Sequence, residues 1–148
     1  MNSDPTRGWH GAMELNSLTY TSRASPSLTA GDVESIHRSA LTYNPLDGIT
    51  GLLVFNGIGF MQNIEGGESS IDDLVKRLLT DNRHSDFVIR DRRKIAGRFF
   101  YDWSMFRIDV DPDFATGLSQ IDGSVTNRLD APMMQVVSDA LGLISRID

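Results

Sequence analysis

The chain contains no cysteine. That excludes disulfides, thiolate metal sites and any mechanism built on a cysteine nucleophile or adduct. Histidine is scarce: His10, His37 and His84 are scattered and give a metal ion no ligand cluster. No apolar run approaches the ~20 residues that span a bilayer, so no membrane association is expected. Residues 1–13 (MNSDPTRGWHGAM) lack the apolar stretch of a signal peptide and read as a flexible N-terminal extension, with a cytoplasmic location expected. Positive charge is in deficit, with 14 Lys and Arg against 20 Asp and Glu. Residues 109–148 hold seven Asp and two Arg, a net of −5, whereas residues 1–108 hold 13 acids and 12 bases, a net of −1. A balanced body with an acidic tail argues against nucleic-acid binding. The basic cluster Arg90, Arg92, Arg93, Lys94 and Arg98 reads as a solvated edge strand, where charge blocks unwanted pairing. There is no glycine-rich phosphate loop, no paired general acid and base and no activated nucleophile, so the protein is not read as an enzyme.

What is present is one ordinary globular domain: 148 residues, 40% hydrophobic and 23% charged. A first strand from about Leu15 to Ser22 puts Leu18 and Tyr20 on one face and Ser17, Thr19 and Thr21 on the other. Thr29 with Asp32 forms a capping box for a helix whose stripe is Val33, Ile36, Ala40 and Leu41. Pro45 disfavours the α region for its predecessor, so this helix is expected to end at Asn44. Ile49–Phe55 and Ile58–Glu65 read as a hairpin joined by Asn56-Gly57, both expected at positive φ. After Gly66-Gly67, Ser70 with Asp73 suggests a second capping box, ahead of Ile71, Leu74, Val75, Leu78 and Leu79 at helical spacing. "FVIRDRRKI" and "WSMFRIDV" read as two further strands. The tail "APMMQVVSDALGLISRID" reads as a helix with Pro132 in its first turn and an apolar face of Met133, Val136, Ala140, Leu143, Ile144 and Ile147.

The order is the split βαβ pattern of an α+β, ferredoxin-like βαββαββ sandwich. It predicts a five-stranded mixed sheet, two helices on one face through right-handed crossovers, and the C-terminal helix capping the other. The expected organisation is a flexible extension at 1–13, a domain at 14–110, and an acidic linker with a capping helix at 111–148.

In "GFMQNIEG" a primary amide, Gln62, shares a strand face with Phe60 and Ile64. A buried amide needs partners, since leaving one unmade costs roughly 1–3 kcal/mol. Tyr20 lies on the neighbouring strand and Asn44 at the end of the first helix. Arg77, Asp81 and His84 are placed at the end of the second helix, with Arg77 and Asp81 at ion-pair spacing. These polar groups converge on the crevice between the two helices, a plausible cofactor site. Singly, each also has a structural explanation, and a cofactor-free ferredoxin-like interaction module is the alternative.

"YTSRA", "NPLDGITGLLVFNGIGFMQNIEG", "LLTDNRH" and "WSM" resemble the BLUF domain, the flavin-binding blue-light sensor, over residues 15–110. The resemblance implies non-covalent FAD, with FMN or riboflavin as substitutes. It implies that Tyr20 donates an electron and a proton and that Gln62 bridges Tyr20 and the flavin edge. Asn44 would hold the pyrimidine end of the ring; Ile36, Phe60 and Leu78 would flank it; Arg77, Asp81 and His84 would lie near the ribityl and phosphate part. Trp103 and Met105, expected on one face of the last strand, match a pair implicated in passing the signal on. Tyr43 departs from the family pattern. Residues 111–148 resemble the capping segment of short family members, so output is expected through a separate effector protein or through the state of a homo-oligomer.

Overall fold

The computed structural model describes residues 14–110 and 121–145. The alternating segment at the start of the domain forms β1 (Leu15–Ala24). Thr29 caps α1 (Ala30–Asp47) through the expected box: its hydroxyl accepts from the Asp32 amide while the Asp32 carboxylate accepts from the Thr29 amide. The helix runs through Pro45 instead of stopping at Asn44, and Gly48 closes it at φ 68°. Tertiary bonds outweigh the local bias of proline. The Asn44 side chain donates to the Ser104 carbonyl, and its own carbonyl takes the Ile49 amide.

The hairpin strands are β2 (Thr50–Phe55) and β3 (Gly59–Gly67). Only Gly57 of the expected turn pair takes positive φ, at 89°. Asn56 instead folds its Oδ1 over the amides of Ile58 and Gly59, a side-chain turn that needs no positive φ. β3 runs directly into α2 (Glu68–Leu79), so Gly67 is the N-cap and Ser70 lies inside the helix; the expected Ser70 box does not form. The edge strand β4 (His84–Lys94) and the short β5 (Phe106–Asp109) follow. A turn of helix, α3 (Gly123–Thr126), precedes α4 (Ala131–Ile144).

The sheet order is β4-β1-β3-β2-β5, antiparallel except for β2 with β5. This is the anticipated mixed sheet, with the basic strand at an edge. Its pairing with β1 is broken by register shifts, a common way to protect an edge.

Two apolar layers sandwich the sheet. Leu18, Tyr20, Leu53, Phe60, Ile64 and Met105 pack beneath α1 and α2, together with Ile71 of α2. Leu52, Val54, Met61 and Phe100 pack beneath α4, which buries Met133, Val137, Ala140, Leu141 and Ile144. The α4 face is therefore rotated from the expected one: Val137 and Leu141 replace Val136 and Leu143 at its centre, and Ile147 lies outside the described residues. Asn56 ties the hairpin to this layer by donating from Nδ2 to the Ile144 carbonyl.

Candidate functional site

Strand register places Tyr20 directly opposite Gln62 on adjacent strands. Both are buried, and the Tyr20 hydroxyl donates to Gln62 Oε1 at 2.5 Å. Gln62 Nε2 points to Met105 Sδ at 3.4 Å. The thioether has no proton to give, so Met105 favours the sense of the amide that presents Nε2 to it. The partner of Nε2 is a weak acceptor, and an NH2 group carries two protons. One amide donor is therefore left for a ligand.

The Tyr20 ring packs against Phe87, with centroids 4.5 Å apart. Burial pushes the phenol well above its ordinary pKa, and the Asp81 charge adds to the effect. The phenol is the species the site is built to hold. Above pH ~10 the unfolded chain loses a proton that native Tyr20 keeps, so this group lowers stability by about 1.4 kcal/mol per pH unit there. Tyr20→Phe should remove that contribution. Denaturant unfolding at a series of pH values from about 9 to 11 should show a shallower decline for the variant, and equal slopes would contradict the assignment.

Above this pair opens a cleft of about 180 Å³ between α1 and α2. Ile36 and Ala40 of α1 and Leu74 and Leu78 of α2 form apolar walls. Tyr20, Gln62 and Asn44 line its inner side, while Arg77, Asp81 and Arg83 supply charge. A smaller recess with shared walls adds Phe60, Leu53 and His84. The cofactor-binding residues expected from the sequence line one or both of these pockets, which share Tyr20, Ile36, Leu78, Asp81 and Arg83. Tyr43 lines the cleft too, at 55% exposure.

Several details differ from expectation. Arg77 and Asp81 do not pair, because α2 ends at Leu79 and the helical spacing lapses. Asp81 instead accepts from Nε and Nη2 of Arg83 across the following turn, which holds its carboxyl below the usual range, and Arg77 reaches Asp47 on α1. Arg83, missed in the sequence, is the better-anchored cation at the cleft. His84 belongs to β4, not to the helix end. Its Nε2 lies 2.7 Å from the Leu78 carbonyl and must donate, so in the neutral ring Nδ1 accepts from the Ser22 hydroxyl at 2.7 Å.

Trp103 and Met105 precede β5, where the chain is irregular, and they occupy opposite layers. Met105 is buried beside Gln62. Trp103 lies in the α4 layer, stacked on Phe106 at 4.2 Å and Phe100 at 5.9 Å. Arg128, in the turn before α4, covers the indole at 3.8 Å and pairs with Asp102.

The arrangement suits a flat heteroaromatic ligand with a phosphate arm. Two helices supply apolar walls, Gln62 lines the cleft with an amide donor to spare, and two guanidinium groups stand there. Fold and site together define a small α+β domain that holds a planar cofactor over a tyrosine–glutamine pair. Residues 15–106 match the family model described as sensors of blue light using FAD, and the chain belongs to this BLUF family. It is 32% identical to BlrB, a BLUF protein solved in the dark state, with a TM-score of 0.67 over 87% of this chain and 98% of that one. The BLUF structure of BlrP1 is 31% identical at a TM-score of 0.69, covering 90% of each chain. Among curated relatives, the photoactivated adenylate cyclase subunit beta of Euglena gracilis is 38% identical over 77 residues, 51% of this chain. The match spans only 9% of that relative's length. BLUF domains bind flavin, so the protein is a flavin-dependent blue-light sensor. Among the described residues, no helix is long and apolar enough to cross a membrane.

Proposed function

We propose that Gln62 is the switching element of this sensor, and that its rearrangement reaches the α4 layer through residues 103–105. The observation that carries this is the bonding of Gln62: one end of its amide on Tyr20, the other on Met105. Ile36, Leu78 and Phe60 would flank the flavin ring. Asn44 and Gln62 would bond its polar edge, and Arg77, Arg83 and His84 would lie toward the ribityl and phosphate arm. When bound, flavin supplies the absorption of blue light and a transient electron acceptor.

The remaining chemistry belongs to the chain. Burial makes the Tyr20 anion costly, so the phenol gives up its proton only together with an electron. That proton lies on the bond to Gln62 Oε1, so the amide is first to respond. An amide with distinct donor and acceptor ends can hold two bonding patterns with the same atoms, by rotation or by tautomerisation. Each bond is worth about 1 kcal/mol net, so the two patterns stay close in energy and the output needs a bistable element. Rotation would swing the carbonyl toward Met105 and remove its present amide partner, and tautomerisation would leave the nitrogen a single proton to divide between Met105 and the flavin. Trp103, two residues earlier, lies in the opposite layer and packs against Arg128, just before α4. A separate effector or a change in oligomeric state would read the result.

Purified protein should be yellow and should show a small red shift of its flavin band under blue light. Hydrogen exchange should then differ between light and dark in residues 99–110 and 131–144. A colourless protein that takes up no FAD would restore the cofactor-free interaction module. Identical exchange in those two segments would exclude the route through Trp103.

A further inference from the structure

Two side chains of α1 grip the segment that carries Met105. Asn44 Nδ2 donates to the Ser104 carbonyl at 2.8 Å, and His37 Nε2 lies 3.0 Å from the Met105 carbonyl. A carbonyl can only accept, so His37 Nε2 carries the proton. The two residues are seven apart, two helical turns, and so share a face. They bond successive peptide units, and the second of these bears the sulfur that meets Gln62.

We infer that His37 is a positioning residue for the light response. By holding the Met105 carbonyl it fixes the sulfur against the Gln62 amide, and so biases the choice between the two amide patterns. The inference rests on the switching role of Gln62 proposed above. A thioether is a weak acceptor on an unbranched chain with three rotatable bonds, so its contact with the amide depends on a fixed backbone. Asn44 shares the task but lines the cofactor cleft. His37 does not line it and can be altered without touching the walls of the flavin site.

Met105-Phe106 is the only Met-Phe step in the chain. Carbonyl-labelled methionine combined with nitrogen-labelled phenylalanine therefore reports this one peptide unit by NMR. In the dark, His37→Phe should move the Met105 carbonyl resonance upfield, whereas His37→Gln, which still donates, should leave it near the wild-type position. Both variants should keep the red shift. Loss of one ordinary hydrogen bond from the dark arrangement should slow dark recovery by up to about fivefold in His37→Phe, while His37→Gln stays within about twofold. If phenylalanine prevents folding, the smaller His37→Val serves the same comparison. An unmoved carbonyl resonance, or wild-type recovery in the variant lacking the donor, would overturn the role of His37 alone. A wild-type protein that binds flavin and shows no red shift would overturn the Gln62 switch and this inference with it.

Discussion

Replacing Gln62 with leucine is expected to leave the protein yellow and to abolish its red shift under blue light. The variant keeps the apolar walls from α1 and α2 and the cations of the cleft, so flavin should still bind. What it loses is the amide that bonds both Tyr20 and Met105. Leucine can neither accept the Tyr20 proton nor donate toward a ligand, so no second bonding pattern exists. The cost in stability should be modest. The buried Tyr20 hydroxyl loses its partner, worth about 1–3 kcal/mol, and the apolar side chain offsets part of this. Two measurements suffice: the difference spectrum under blue light and the denaturant midpoint. A leucine variant with the wild-type shift would remove Gln62 from the mechanism. An unfolded one would show that the amide is needed for the sheet before it is needed for signalling.

Gln62 could be singled out because the period of a strand leaves a primary amide no polar surroundings between Phe60 and Ile64. Tyr20 followed once the split βαβ order made β1 and β3 neighbours. Their direct cross-strand register was not legible, since it depends on where the hairpin turn closes, and that turn differs from the expected one at Asn56. The Trp103–Met105 pair misled for a related reason. Period two holds only within a regular strand, and β5 begins at Phe106. Helical spacing failed in the same way at Arg77 and Asp81, because α2 stops between them. The signal for Arg83 was available: an aspartate just past a helix end with an arginine two residues on, a turn in which a carboxylate can bond both the amide and the side chain. His37 had no signal at all. Its partner is a backbone carbonyl 68 residues away, and backbone groups carry no sequence mark.

Glu65→Ala is expected to be strongly destabilising, by about 3 kcal/mol or more, because three donors to its carboxylate each lose a buried acceptor. Glu65 is fully buried, yet the residues flanking it in β3 are an isoleucine and a glycine, and no cation pairs directly with its carboxylate among the described ion pairs. Backbone amides and a hydroxyl take the place of a counter-ion. Its carboxylate accepts from the Phe99 amide at 2.8 Å, the Phe100 amide at 3.0 Å and the Thr50 hydroxyl at 2.8 Å. Arg98 closes the network by donating to Thr50 Oγ1 and to the Glu65 carbonyl. The carboxylate thus pins the loop between β4 and β5, which carries Phe100 and Trp103, onto the middle of the sheet. Alanine would strand three donors in a buried site and leave a cavity. Glu65→Gln keeps the shape but sets an NH2 group against a backbone amide that can only donate, so about 1–3 kcal/mol should be lost. Urea unfolding of the two variants against wild type measures both effects. Because the same loop leads into Met105, the glutamine variant should also bind flavin and respond to light with altered recovery. If Glu65→Ala cost less than about 1 kcal/mol, the loop would have to be held by the aromatic stack and Arg128 instead, and the route from Gln62 to α4 would not depend on this anchor.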